Sequence, residues 1–253
     1  MQDLAIVTGG GTGLGRAIAL ELSGRGHPLL LVGRRRQPLE ETARMAGGSC
    51  EVVSGDVGTE AGRAAVAAAV GQRRVAMLVH NAAVLEPVGP LAGVTLEAWR
   101  TAMQVNLEAP LFLTQALLPR LAGGRVLHIS SGAARNALAG WGAYCVSKAG
   151  LLMLYQMFNA ELTDVAVGSV RPGVVDTPMQ GLIRAQDESR FPSVERFRRL
   201  KQDGQLRSPA EVASFIGWLL FETTPEDFAA HEWDIGNPDH TAAWLQSRRA
   251  KSS

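Results

Sequence analysis

The sequence predicts an α/β fold: a doubly wound parallel sheet of seven strands with helices on both faces. Three observations carry this expectation. Short apolar runs alternate with amphipathic helical stretches along almost the whole chain. The runs are mostly apolar, as strands covered on both faces require. A glycine-rich turn joins the first run to the first helix.

Taken in order, the predicted strands are Leu4–Thr8, Leu29–Val32, Glu51–Ser54, Met77–His80, Val126–Ile129, Val165–Val170 and Glu232–Ile235. After the first, Leu14, Ile18 and Leu22 fall four apart and mark one helix face. Ala61–Val70 and Ala143–Leu162 are helical in pattern, and Asn106 stands at the expected start of another long helix. The segment Asp176–Arg207 breaks the alternation. It is polar and rich in Arg, with predicted helices Met179–Asp187 and Val194–Asp203 either side of Phe191-Pro192-Ser193. An insertion at a strand's carboxyl end lies over the ligand crevice of an open α/β sheet. Residues 176–207 are therefore expected to form a helical lid, although a plain surface hairpin would show the same pattern. No linker or repeat divides the chain, so residues 1–253 are expected to form one domain.

Composition narrows the function classes. Hydrophobic residues make up 46% and charged residues 19%, which suits a filled core under a modestly charged surface. With 25 basic against 24 acidic side chains, no basic excess points to nucleic acid. Cys50 and Cys145 are too few and too far apart for a disulfide framework, and five scattered His show no metal-ligand spacing. No apolar run approaches the roughly 20 residues that span a bilayer. An apolar strand begins directly after Met1-Gln2-Asp3, which predicts no signal peptide and a reduced, cytoplasmic setting.

Chemistry concentrates at three places. Thr8-Gly9-Gly10-Gly11-Thr12-Gly13-Leu14-Gly15 lies between a strand and a helix. Glycine lets the backbone approach a ligand, and the helix N-terminus directs free N–H groups and positive potential at it, an arrangement suited to a pyrophosphate. The second strand ends Gly33-Arg34-Arg35, with no carboxylate for an adenosine ribose and a guanidinium fork suited to the 2′-phosphate of NADP. A charged start to the next helix would read the same way. Tyr144 and Lys148 lie four apart on one predicted helix face. An ammonium favours a nearby phenolate and lowers the Tyr pKa, as a proton donor to a ketone's developing alkoxide requires. Ser131 ends a buried strand where its hydroxyl can reach a substrate oxygen. Alone, Asn106 reads as a cap and Ser131 as a turn residue.

Together these residues resemble the classical branch of the short-chain dehydrogenase/reductase superfamily, over nearly the whole chain. The shared pattern runs through the TGxxxGxG loop (Thr8, Gly9, Gly13, Gly15), Asp56-Val57 and His80-Asn81-Ala82-Ala83. Asn106, Ser131, Tyr144 and Lys148 follow in the family's order, and then Arg171-Pro172-Gly173-Val174-Val175-Asp176-Thr177. The resemblance implies a Rossmann fold, NADP(H) and a small carbonyl substrate. Ser131 would polarise the carbonyl and Tyr144 donate the proton. Lys148 would bind the nicotinamide ribose and lower the Tyr144 pKa, and Asn106 would hold a relaying water. Thr8, Gly9, Thr12, Gly13, Leu14, Gly15, Arg34, Arg35, Asp56, Val57, Asn81, Ala82, Pro172, Gly173, Val174 and Thr177 would contact or support the cofactor. The long helices near Asn106 and Tyr144 would pack in a homodimer or homotetramer.

Departures from the pattern matter too. His80 stands where the family has Asn and is expected to be a satisfied strand-end residue. Thr12 holds a loop position that is often Arg in NADP-preferring members, which leaves the phosphate to Arg34 and Arg35. The lid stretch looks most like sepiapterin reductase-like enzymes and benzil (diketone) reductases, which reduce one carbonyl of a vicinal dicarbonyl. Asn237 stands where sepiapterin-type enzymes carry an acidic pterin anchor, which argues against a pterin. Trp141, Met179 and Leu182 would wall an aromatic ketone, although such side chains also serve as core. An NADP-dependent alcohol dehydrogenase and a non-catalytic NADP-sensing protein are the alternative functions.

Overall fold

The computed structural model describes residues 3–252. Its seven strands are β1 (Leu4–Thr8), β2 (Leu29–Gly33), β3 (Cys50–Ser54), β4 (Val75–His80), β5 (Arg125–Ile129), β6 (Ala166–Arg171) and β7 (Glu232–Asp234). They form one parallel sheet in the order β3-β2-β1-β4-β5-β6-β7, with helices on both faces. Strand order reverses between β1 and β4, and the crevice at the carboxyl ends of an open sheet opens at such a reversal.

Alternate residues of each strand feed different cores. Ala5, Val7, Leu29 and Leu31 pack with Leu14, Ile18 and Leu22 of α1 (Gly13–Gly24) and with α9 (Pro209–Glu222). Leu4, Ile6, Leu30 and Val32 point the other way. They meet Val66 and Val70 of α3 (Glu60–Val70), Leu113 and Leu117 of α5 (Ala109–Leu117), and Tyr155 and Phe158 of α6 (Gly142–Glu161). Coverage on both faces is why β1 and β2 read as nearly unbroken apolar runs.

Two expectations need correction. Asn106 does not start a helix: it lies in a π-helical turn, Gln104–Glu108, between α4 (Leu96–Met103) and α5. Pro110, four residues on, has no N–H for the Asn106 carbonyl, and the ladder widens there. Of the two helices expected between 176 and 207, α7 (Pro178–Arg184) stops short of Asp187. Asp187 instead forms an Asx turn, accepting the Ser189 N–H at 2.8 Å on its side chain and the Phe191 N–H at 2.9 Å on its carbonyl. The second, α8 (Val194–Gln202), falls where expected.

Both ends of this insertion are sewn together. Asp176 donates its N–H to Arg207 O, and Arg207 donates to Val174 O, each at 2.9 Å. Phe191, Val194 and Phe197 from the insertion form a small third core with Trp141, Tyr144 and Leu85. Among the described residues, no helix is long and apolar enough to cross a membrane.

Candidate active site

A cavity of about 800 Å³ opens over the carboxyl ends of the strands, from the β1–α1 loop to α7 and α8. Gly9 and Gly13 have φ of 68° and 54°, a backbone region that favours glycine. A Cβ at Gly15 would stand 2.2 Å from Gly9 O, so the loop folds back on itself and only glycine fits. Asn81 Nδ2 braces it from β4, donating to Thr8 O at 2.9 Å and Gly9 O at 3.3 Å. Arg16 grips it from the other side through Gly11 O, at 2.7 Å from Nη2, and through Thr42 and Glu41. Sequence reading missed Arg16. Its place directly after Gly15 was the available signal.

Three consecutive guanidinia have different fates. Arg36 begins α2 (Arg36–Ala46) and pairs with Glu40 at 2.9 Å. Arg34 and Arg35 are exposed, line the cavity and have no ion pair among the described residues. Asp56 is partly spent on its own turn, accepting the Gly58 N–H at 2.9 Å, and it lines the cavity beside Val57.

Tyr144, in the first turn of α6, and Lys148, one turn later, are buried at 7% and 3% exposure. Lys148 Nζ donates to Ile129 O at 2.7 Å and lies 5.8 Å from the Tyr144 ring centre. The Ser131 hydroxyl beside Tyr144 favours the phenolate, but burial is the larger effect and pushes the Tyr144 pKa up to about 12. The expected lowering by Lys148 is therefore not seen. Burial likewise brings the Lys148 ammonium down to about 8. At neutral pH the pair carries both protons, the state a proton donor needs.

Two predicted residues lie behind the wall instead of on it. Thr8 Oγ1 donates to Val79 O and accepts the N–H groups of Asn81 and Ala82, tying β1 to β4. The Asn106 side chain is fully engaged, pairing with both backbone groups of Val84 at 2.8 Å and with Ser147 Oγ at 3.0 Å. The other predicted cofactor residues, Gly9, Thr12, Gly13, Leu14, Gly15, Ala82, Asn81, Pro172, Gly173, Val174 and Thr177, all line the cavity. So do Ser131, Trp141, Met179 and Leu182. His80, at the end of β4, contacts Thr114 Oγ1 at 2.8 Å, and burial beside His128 pushes its pKa well down.

The short chain dehydrogenase family model matches residues 3–188. The chain belongs to that family. As a short-chain dehydrogenase it is an oxidoreductase, and its most similar relatives agree. Benzil reductase ((S)-benzoin forming) from Bacillus subtilis is 33% identical over 232 residues, 88% of this chain and 95% of that one. A short chain dehydrogenase/reductase from Saccharomyces cerevisiae superposes with a TM-score of 0.87 at 29% identity, over 95% of this chain and 98% of that one. A variant of actinorhodin polyketide ketoreductase with NADPH superposes with a TM-score of 0.80 at 26% identity, over 92% and 95% of the two chains.

The far wall of this short-chain dehydrogenase's cavity holds what sequence reading did not find. Trp141 stacks on Phe191 at 4.6 Å with the planes 7° apart, and Phe197 lies 5.3 Å from Trp141. Trp141 also sets its edge against Tyr144 at 5.6 Å. Trp141 is thus chiefly the anchor of the 176–207 segment, whereas Leu182 is 53% exposed on α7 at the cavity. Gln180, Ile183 and Arg196 complete that end.

Proposed function

We propose that the chain is an NADPH-dependent carbonyl reductase acting on one carbonyl of a vicinal diketone such as benzil, with residues 176–207 as its lid. The observation that carries this reading is the buried Tyr144, one turn from Lys148 and on the same cavity as Ser131, whose far end is lined by Trp141 and Phe197. A reduced nicotinamide, when bound, supplies the hydride to the carbonyl carbon. The Ser131 hydroxyl donates to the carbonyl oxygen and holds it beside Tyr144. Tyr144 passes its proton to that oxygen as the C–O double bond becomes single, leaving an alcohol. Lys148 limits the cost of the phenolate left behind, an effect that grows as Tyr144 gives up its proton.

The cofactor fits the residues present. Gly9 and Gly13 open the β1–α1 loop at a helix N-terminus, where a pyrophosphate finds N–H donors. Arg34 and Arg35 are cationic and unpaired beside it, as a 2′-phosphate requires. The printed name of the Bacillus subtilis relative supports the diketone. Phe112, Val146, Met153 and Met157 leave an exposed apolar face on α5 and α6, which supports a homodimer or homotetramer. The deciding experiment incubates the purified protein with NADPH or NADH and a panel of carbonyls including benzil. Cofactor oxidation confined to simple aldehydes, or seen only with NADH, would reject the proposal.

A further inference from the structure

Glu232, the first residue of β7, has no part in the reaction just described. Its carboxylate is nonetheless sealed in, with 1% of the side chain exposed. Oε1 accepts the Ser130 hydroxyl at 2.6 Å, with the Ser169 hydroxyl 3.4 Å away. Oε2 accepts Arg135 Nε at 2.8 Å. Arg171 Nε stands 3.3 Å from the same oxygen as a charge contact without hydrogen-bond geometry, and its Nη2 reaches Asp234 at 2.9 Å. A buried carboxylate is costly unless paired, and this one meets two guanidinia and two hydroxyls.

The contacts have a pattern. Ser130 immediately precedes Ser131, and Arg135 caps the one-turn helix Gly132–Ala134 that follows it. The two oxygens of one side chain therefore hold the two ends of the turn that presents the Ser131 hydroxyl. We infer that Glu232 is a positioning residue that clips the Ser131 turn through Ser130 and Arg135 and so sets Ser131 against Tyr144. This rests on the reading of Ser131 as the group that orients the carbonyl. A carboxylate suits the task because both its oxygens accept. An amide would have to turn its N–H to Ser130, reversing that bond, and would lose the charge that holds Arg135.

Arg135 is half exposed, so Arg135→Met opens the clip without emptying the core. Its kcat for diketone reduction is expected to fall about three- to tenfold while the NADPH Kd stays within about twofold, because only the carbonyl's orientation is loosened. In a Ser131→Ala background the same substitution should cost nothing further, and Arg135→Lys should recover part of the loss. Hydrogen exchange gives a reading independent of turnover. Amides 131–135 should exchange faster in Arg135→Met and in Glu232→Gln, with those of Gly9–Gly15 unchanged. Wild-type kcat in Arg135→Met, or a loss that persists undiminished without the Ser131 hydroxyl, overturns the inference. If the wild-type protein reduces no carbonyl, the proposed reaction fails. Exchange alone then decides the clip, and unchanged protection of 131–135 overturns it.

Discussion

Between Gly9 and Gly15 the cavity wall is main chain, braced from behind by Arg16 and Asn81. At the other end the wall is Trp141 and Phe197, with Phe191 stacked on Trp141 behind it. The first end allows close approach by any ligand with a phosphate, because N–H groups and glycine carry no side-chain preference. The second end presents shape and hydrocarbon, which separates one organic group from another. Cofactor binding and carbonyl selection should therefore fail independently.

The largest test of that independence is Tyr144→Phe, which keeps the ring packed on Trp141 but removes the proton. Turnover should fall by about 10²- to 10⁴-fold with NADPH fluorescence titration nearly unchanged. A variant retaining more than about a tenth of wild-type turnover would remove Tyr144 from the role. Lys148→Ala should instead weaken both, since its ammonium serves the phenolate and, in the family's pattern, the ribose.

Phe191→Ala acts at the other end. Phe191 is fully buried, and emptying such a site costs about 3–5 kcal/mol. Thermal unfolding should report a large loss, and the diketone KM should rise while NADPH affinity at low temperature holds. A parallel loss of NADPH affinity would mean that the two ends are coupled.

Arg34→Ala sharpens the comparison from the cofactor side. It should erase an NADPH-over-NADH preference of at least about tenfold, about 1.4 kcal/mol, and leave the diketone KM alone. Equal Kd values for both cofactors in the wild-type protein would show that the unpaired arginines do not read the phosphate.

The smallest effect is in the pH profile. Burial holds Lys148 near 8 and Tyr144 near 12, so the first proton lost on raising the pH belongs to Lys148. The kcat/KM for reduction should be level below about 8 and decline through it as the ammonium is lost. Lys148→Arg, which stays charged, should abolish that inflection. A profile flat to pH 10, beyond the value that burial gives Lys148 by about two units, would show that its charge does no catalytic work.

Legibility in the sequence followed the same division. All seven strands were visible because parallel strands covered on both faces are predominantly apolar, although the edge strands β3 and β7 carry Glu51, Glu232 and Asp234. Helix α9 was not, for a related reason: Phe215, Ile216, Gly217, Trp218, Leu219 and Leu220 are all buried, leaving no amphipathic period to read. The loop glycines, the Arg34–Arg35 pair and the Tyr144–Lys148 spacing are local patterns and could be read locally. Phe191 and Phe197 meet Trp141 only through the fold. Glu232 meets Ser130 and Arg135 across about a hundred residues, with no short-range signature. The π turn at Asn106 was hidden because the sequence around it is a sound helix apart from Pro110.

The stitch between Val174, Asp176 and Arg207 has a consequence for how this protein can change. Both ends of the excursion are fixed to each other where the chain leaves the sheet, so the scaffold meets it at that stitch and at the rings packed on Trp141. Doubling the length of a flexible loop between fixed ends adds only about 0.6 kcal/mol of closure entropy. The excursion is in effect a fitting with one keyed joint: its length and exposed residues can vary without moving the sheet, provided the rings that pack on Trp141 and Tyr144 are kept.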